Sequence, residues 1–487
     1  MYKSILLSIT LMFGSSICKA QGKITWGMGM NISDNTKGSM HPRMALDRLG
    51  NPMVVCGKMA DASVYFTRWN GSAFNTIKLN PSWLKVATAS WMGPNIASKG
   101  DTVYVVVKRT PEVSDTSHIY IITSFNGGIS FSAPVRVDYI NDSVSRFPTV
   151  TVDAKGNPVV AFMKFNSSFL KSRWVVTRSS DYGKTFSTDV KASGYSGGSA
   201  EVCDCCPGAL VSSGNVSTML YRDNLSNIRD IWTGVSTNNN SSFNTGFATD
   251  NTKWMIMSCP SSGPDGVIIG DSLYSVFLSS GSGSYRTYLS KSSISSGKVN
   301  SVSKLTGNIT SLGQQNYPRI ANDGKAMAIV WKQTVSGVSQ LPILFTNDIG
   351  KGFPTGYDTV DLADITNADV AISNGNIFVI WQDDKSGTVK YRKGTYTPSN
   401  TGAIANIKES DFTIFPNPAS STITLESGTV SGNAEVNIFN IIGETVYSQN
   451  VSSLSMAVLD ISNLTSGIYF LSVRANNRLL TQKFIKK

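Results

Sequence analysis

Apolar residues in this chain seldom recur at helical spacing; they alternate with polar ones in short runs rich in Val, Ile, Tyr and Thr. Clusters of Gly, Asn, Ser and Asp separate the runs. A period of two places successive side chains on opposite faces of a strand, so the pattern predicts an all-β fold. One unit recurs: a proline, a short alternating strand, a glycine-containing turn, then a strand rich in Val, Tyr and Trp. "HPRMALDRLGNPMVV", "FPTVTVDAKGNPVVAF" and "YPRIANDGKAMAIVW" are three copies, and "ADVAISNGNIFVIW" is a copy without the proline. Pro42, Pro94, Pro148, Pro207, Pro264 and Pro318 anchor six units, with Asp369 in the seventh place, at separations of 52, 54, 59, 57, 54 and 51 residues. A third strand follows each unit, and usually a fourth.

Four antiparallel strands in every ~50 residues is the arithmetic of a β-propeller blade. A lone blade leaves both faces bare, whereas a ring covers each face with a neighbour. The count predicts seven blades, or six if one unit is degenerate. The seventh unit lacks a fourth strand after Tyr396, and "KITWGMGMNIS" near the N-terminus is expected to supply it and close the ring.

The chain opens with Lys3, an apolar run from Ile5 to Phe13, and small residues before Cys18-Lys19-Ala20. That layout predicts a secretory signal over 1–20, cleaved after Ala20; Ile17 disfavours a lipoprotein reading of Cys18. No later run has the ~20 apolar residues of a membrane helix. The propeller is expected over 21–398, a polar linker over 399–410, and a small β-sandwich over 411–487.

The net charge of +11 would suit an anionic partner if basic residues clustered, but apart from the terminal "KFIKK" they are scattered. Basic runs interleaved with aromatics are missing, which excludes nucleic-acid binding; attraction to an acidic glycan stays open. No cofactor is expected.

Two stretches carry a first pair of family resemblances. "SSDYGKTFS" at 179–187 resembles the Asp-box of the sialidase superfamily, with weaker copies at 124 and 346. In such turns aspartate accepts backbone N–H bonds and glycine permits positive φ, so Ser179, Asp181, Gly183 and Phe186 are read as structural. At the other end, "FPNP" at 415–418, "GIYF" at 467 and the terminal "KFIKK" resemble the C-terminal sorting domain of type IX secretion cargo. That resemblance implies engagement of the secretion machinery through 411–487 and a secreted or cell-surface destination.

Export changes the reading of cysteine, because disulfides persist outside the cytoplasm. Five cysteines follow the signal: Cys56, Cys203, Cys205, Cys206 and Cys259. With an odd number, one thiol stays unpaired unless it pairs between molecules. Aligned on their prolines, Cys203 and Cys259 fall in nearly the same register of adjacent blades, so a Cys203–Cys259 bridge is the simplest pairing; Cys205 or Cys206 can substitute. Four sulfurs would satisfy zinc, but Cys205 and Cys206 as strand neighbours point oppositely, so no metal is expected. Cys56, on a second strand, is expected to be buried. The ordered motifs "CDCC" at 203, "YRDNLSNIRDIW" at 221 and "WMIMSCPSSGP" at 254 resemble a sialidase-like branch of propellers. Where that branch often has histidine after the second Cys-Pro, this chain has Ser261.

The resemblance implies where to look for an active site. Sialidases hold a substrate carboxylate with arginines, whose planar guanidinium binds it bidentately, and use a tyrosine–glutamate nucleophile pair with an aspartate as acid/base. Among residues 1–399 the only glutamates are Glu112, in the loop "RTPEVSD", and Glu201. The catalytic expectation is therefore that Glu201 assists Tyr317 and that Asp223 or Asp230 supplies the proton. Arg43, Arg222 and Arg319 would bind the anion, with Arg146 and Arg229 as further basic candidates. A non-catalytic propeller would instead bind a glycan or another extracellular ligand at the channel mouth, beside exposed aromatics such as Trp91 and Trp254. A surface scaffold or adhesin would show neither feature. Convergence of the arginines and Glu201 on one mouth separates these readings.

Overall fold

The computed structural model describes residues 22–33, 37–113, 117–138, 143–197, 201–257, 260–399, 413–426, 433–441, 444–453, 456–475 and 478–487. The expected signal at 1–20, Cys259 and nearly all of the linker lie outside the described residues. The chain divides into two compact units, the first ending at Ser399. Among the described residues, helix is limited to one 3₁₀ turn, Ile349–Lys351; the rest of the regular structure is strand.

The first unit holds seven antiparallel sheets of four or five strands. Their first strands are Ser39–Leu46, Asn95–Lys99, Ser143–Val152, Ala209–Ser213, Asp265–Ile269, Leu312–Asn322 and Ile365–Ser373. Each touches the next, and the last touches the first. The period-two pattern explains this closure. In Thr102–Lys108, Val103, Val105 and Val107 enter a core shared with the preceding sheet, while Tyr104 and Val106 enter one shared with the following sheet. Seven such cores separate the seven sheets, including one between the last sheet (Phe378, Ile380) and the first (Val54, Cys56). As the sequence predicts, the N-terminal segment completes the last sheet: Thr25 and Trp26 pair with Thr395 and Gly394.

Proline shapes the first strands. It has no N–H to donate, so the ladder cannot run through it. Register breaks between Met40 and Arg43, Arg146 and Thr149, Asn316 and Arg319, and again between Ile365 and Ala368. In each break one residue takes left-handed backbone: His41 (φ 53), Phe147 (φ 52), Tyr317 (φ 52) and Asn367 (φ 74). One position beyond the prolines, the side chains staple neighbouring sheets. Asn95 accepts from Val150 N and Asp265 from Ile320 N. Asp369 accepts from Met44 N in the same manner. Asp369 therefore stands one step past the place the sequence alignment gave it, and Ala368 fills the proline's position.

Ser179, Asp181 and Gly183 close a turn after a third strand. Asp181 Oδ1 accepts from Lys184 N and Thr185 N at 3.1 and 2.9 Å, Gly183 has φ +88°, and Phe186 is buried in the core.

The second unit is a small sandwich. A three-stranded sheet (Thr413–Phe415, Thr422–Glu426, Ala457–Asp460) and a four-stranded one (Ala434–Phe439, Thr445–Val451, Gly467–Ala475, Arg478–Lys486) share a core that includes Ile423, Val436, Leu471 and Phe484.

Candidate functional site

The first strands deliver two rings of residues to one pocket. The residues just before the prolines include His41, Phe147 and Tyr317, with Asn367 in the corresponding place; those just after include Arg43, Asn95, Gly208 and Arg319. All of these line the pocket together with Trp91, and the cavity measures about 50 Å³. One water needs ~10–15 Å³, so there is room for a small polar group or a few waters. Gly263 keeps the wall thin, since a Cβ there would lie 2.0 Å from the Pro207 carbonyl oxygen.

Around the after-proline ring, charges alternate over four consecutive sheets: Asp265, Arg319, Asp369, Arg43. Arg319 Nε lies 3.4 Å from Asp265 and 3.1 Å from Asp369. Burial works against its charge, but the two carboxylates hold it above its ordinary pKa. Arg43 stands at the end of the series. It is buried, and its one hydrogen bond among the described residues runs from Nη1 to its neighbour's Pro42 carbonyl at 2.7 Å. Burial first, then repulsion from Arg319, brings Arg43 down to about 9, against the attraction of Asp369 and Asp265.

His41 completes the polar wall. The Ser90 carbonyl accepts from Asn367 Nδ2 at 2.6 Å and favours the protonated form of the His41 ring. His41 Nδ1 has no hydrogen-bond partner among the described residues. Burial, helped by the Arg43 charge, holds the ring well below 6.5 and so neutral. A neutral imidazole keeps one ring nitrogen as donor and the other as acceptor. Tyr317 is also held up, by burial and the nearby Asp384 charge.

The remaining sequence candidates lie elsewhere, and most are already engaged; Asp223 Oδ1 is buried with no hydrogen-bond partner among the described residues. Arg222 is a cross-brace, not a ligand arm: it donates to the carbonyls of Arg229 (2.7 Å), Ser262 (3.2 Å) and Leu278 (2.8 Å) and lies over Trp254 at 5.0 Å. Trp254 is buried beneath it rather than exposed at a mouth. Arg229 donates from Nη1 to Cys203 Sγ at 3.0 Å. Arg146 is tied to Glu112 and to the Asp204 carbonyl and packs on Phe165 at 4.8 Å. Glu201 Oε1 accepts from Lys171 N at 2.8 Å, and Asp230 from Trp254 N at 3.0 Å. Asp223 and Asp230 are both held up, chiefly by burial. Of the expected constellation, Arg43, Arg319, Tyr317 and Trp91 share the pocket; Glu201, Arg222, Asp223 and Asp230 are not among its lining residues.

The cysteines also differ from expectation. Cys203 and Cys206 are free and buried, whereas Cys205 is disulfide-bonded. Cys203 therefore does not form the bridge expected with Cys259. The reason is local: residues 203–206 form a turn, with Cys206 N donating to the Cys203 carbonyl at 3.5 Å, not a strand. The turn gathers three sulfurs within 4.8 Å of one another.

His41, Asn367 and Asp265 were missed as site residues. The signal for His41 was its place before Pro42, shared with Tyr317 before Pro318.

Residues 413–487 match the secretion system C-terminal sorting domain. The chain is thus exported by the type IX route to the cell surface or beyond it. No curated protein matches the chain. Among solved structures, a Hadza microbial sialidase is 11% identical with TM-score 0.45, over 76% of this chain and 68% of that one. A Fusarium graminearum α-L-arabinofuranosidase is 10% identical with TM-score 0.44, over 68% and 98%. An ulvan lyase, a polysaccharide lyase, is 11% identical with TM-score 0.46, over 76% and 94%. At these scores the likenesses assign neither ligand nor activity to this chain. No helix among the described residues is long and apolar enough to cross a membrane.

Proposed function

We propose that the seven sheets act as the blades of a propeller whose axial pocket binds the carboxylate of a hydroxylated acid, the acidic sugar end of an extracellular glycan. The observation that carries this reading is Arg43, a buried guanidinium with a single backbone acceptor among the described residues. A buried guanidinium with most of its donors unused is costly, and a carboxylate supplies the missing acceptors with two parallel hydrogen bonds. His41 Nδ1, buried and unpartnered among the described residues, can hydrogen-bond a neighbouring hydroxyl, and Trp91 and Phe147 form an aromatic wall, edge to face at 5.6 Å. The left-handed residues at His41, Phe147, Tyr317 and Asn367 add to the case. Such backbone costs of order 1–3 kcal/mol per residue and clusters where a site must be held in shape.

Hydrolysis is not favoured by the pocket. A nucleophilic tyrosine needs its proton drawn off, yet Tyr317 is pushed up by burial and by Asp384. Asp265 and Asp369, the ring's carboxylates, are committed to Arg319 and to backbone N–H groups.

Calorimetric titration of the exported protein tests the reading, using an oligosaccharide ending in a uronic or sialic acid beside its carboxyl-reduced counterpart. A hydrogen bond to a charged group is worth ~1.5–3 kcal/mol, so the acid should bind roughly 10- to 150-fold more tightly. Arg43→Met should abolish the difference. Equal affinity for the two ligands refutes the reading.

A further inference from the structure

The turn Cys203–Cys206 lies outside the pocket chemistry and has its own. A hydrogen-bonded turn brings its end residues' Cα atoms within about 7 Å, and a disulfide needs roughly 4.4–6.8 Å, so the backbone already suits a bond between them. Their sulfurs are 3.5 Å apart. The third sulfur, Cys205, lies 3.4 Å from Cys203 and 3.9 Å from Cys206. Burial divides the three. Cys203 and Cys206 are sealed from solvent, while Cys205 is half-buried and already disulfide-bonded. Arg229 Nη1 on Cys203 Sγ marks that sulfur as the one held as thiolate. A reagent can therefore meet Cys205 but not the inner pair.

We propose that Cys203 and Cys206 are a buried dithiol that is oxidised to a disulfide by relay through Cys205. The Cys203 thiolate attacks Cys205 Sγ; the Cys203–Cys205 bond forms, and the cysteine previously bonded to Cys205 leaves as a thiolate and takes a proton from Cys206. The Cys206 thiolate then attacks Cys203 Sγ, forming Cys203–Cys206 and expelling Cys205 as a thiolate. One disulfide has been exchanged for another with no net oxidation. A low-molecular-weight disulfide outside the cell then re-forms the Cys205 bond in two exchanges and releases two thiols. The product carries two bonds where there was one, and the inner bond clamps the turn that leads into Pro207 at the pocket wall.

The electrostatics agree in direction. The Cys206 hydrogen bond, with the charges of Arg222 and Arg229, brings Cys203 down to about 6, and burial with the Cys203 neighbour pushes Cys206 up. An attacking thiolate beside a protonated resolving thiol is the asymmetry such exchange requires. Metal binding is the competing chemistry for three gathered sulfurs. With Cys205 bonded, two thiols remain, short of the four ligands zinc takes in structural sites.

The test uses the exported full-length protein equilibrated in glutathione buffers of rising oxidised fraction, quenched in acid, alkylated under denaturing conditions and mapped by mass spectrometry. Cleavage before Asp204 separates Cys203 from the other two cysteines, so the inner bond appears as a linked peptide pair with fragment ions at Cys206. The expected result is a Cys203–Cys206 link that rises with oxidation, and a Cys205→Ser variant in which it forms at least tenfold more slowly. Cys203 and Cys206 that stay alkylatable at every ratio overturn the proposal, as does stoichiometric zinc or copper protecting them. Unchanged oxidation in Cys205→Ser overturns the relay. If that variant misfolds, the wild-type mapping still decides whether the inner bond forms.

Discussion

Arg43 and Arg222 are both buried guanidinium groups on strands of the same ring of sheets, yet their surroundings differ in kind. Arg222 spends its donors on three backbone carbonyls contributed by its own sheet and the next, and lies on an indole. Among the described residues Arg43 has one carbonyl, from the residue beside it, and it faces a cavity. The first is a brace whose removal orphans acceptors; the second is an open valence. Burial of a charge therefore does not mark a binding site. What marks it is hydrogen-bonding capacity left unused.

This contrast is open to attack at several scales. The largest effect is expected from Arg222→Met, which strips hydrogen bonds from three buried carbonyls. At ~1–3 kcal/mol for each orphaned group, the loss should be about 3 kcal/mol or more, read as a lower denaturant midpoint for the first unit. A midpoint within error of wild type would show that Arg222 is no brace.

The pH dependence of binding comes next. Arg43 is held down to about 9, so its charge, and with it the affinity for an acidic ligand, should fade as pH rises through that value, by about tenfold per unit above it for one proton. The sign for stability is the reverse. Between about 9 and its ordinary 12.5 the unfolded chain holds the proton that the folded chain has lost. Stability from this group therefore rises with pH across that window, whereas affinity falls. Titrations at pH 8 and pH 10 that agree would contradict the open-valence description.

The smallest effect is expected for Arg43→Met without ligand. Replacing a buried charge with few hydrogen bonds by an apolar side chain of similar length is neutral or stabilising, so the midpoint should be unchanged or raised. A loss as large as that of Arg222→Met would make Arg43 a brace too.

Much of the frame was legible in the primary structure. Strand alternation and the spacing of the six prolines predicted the repeated four-stranded sheets, and the unmatched "KITWGMGMNIS" predicted where the N-terminus would pair. Three prolines carried further information, because Pro42, Pro148 and Pro318 each sit at a break in the ladder, and residues at those breaks, His41 and Arg43 among them, turn into the pocket. What stayed illegible was satisfaction. Arg43, Arg222 and Arg229 are the same residue type, and only the folded chain shows which carbonyls come within reach. Asp265 and Asp369 were likewise invisible as a pair because they lie about a hundred residues apart and meet only at Arg319. The cysteine segment was misread for a different reason. Strand geometry sends adjacent side chains to opposite faces, but residues 203–206 form a turn, and a turn gathers its sulfurs.

The most direct measurement of the central claim is a crystal structure of the exported protein soaked with an oligosaccharide ending in an acidic sugar. The ligand's carboxylate should lie within hydrogen-bonding distance, about 3 Å, of the Arg43 guanidinium, with a hydroxyl at His41 Nδ1 and Arg319 still bound to Asp265 and Asp369. A ligand seated elsewhere on the protein, with the Arg43 pocket holding only water, would contradict it.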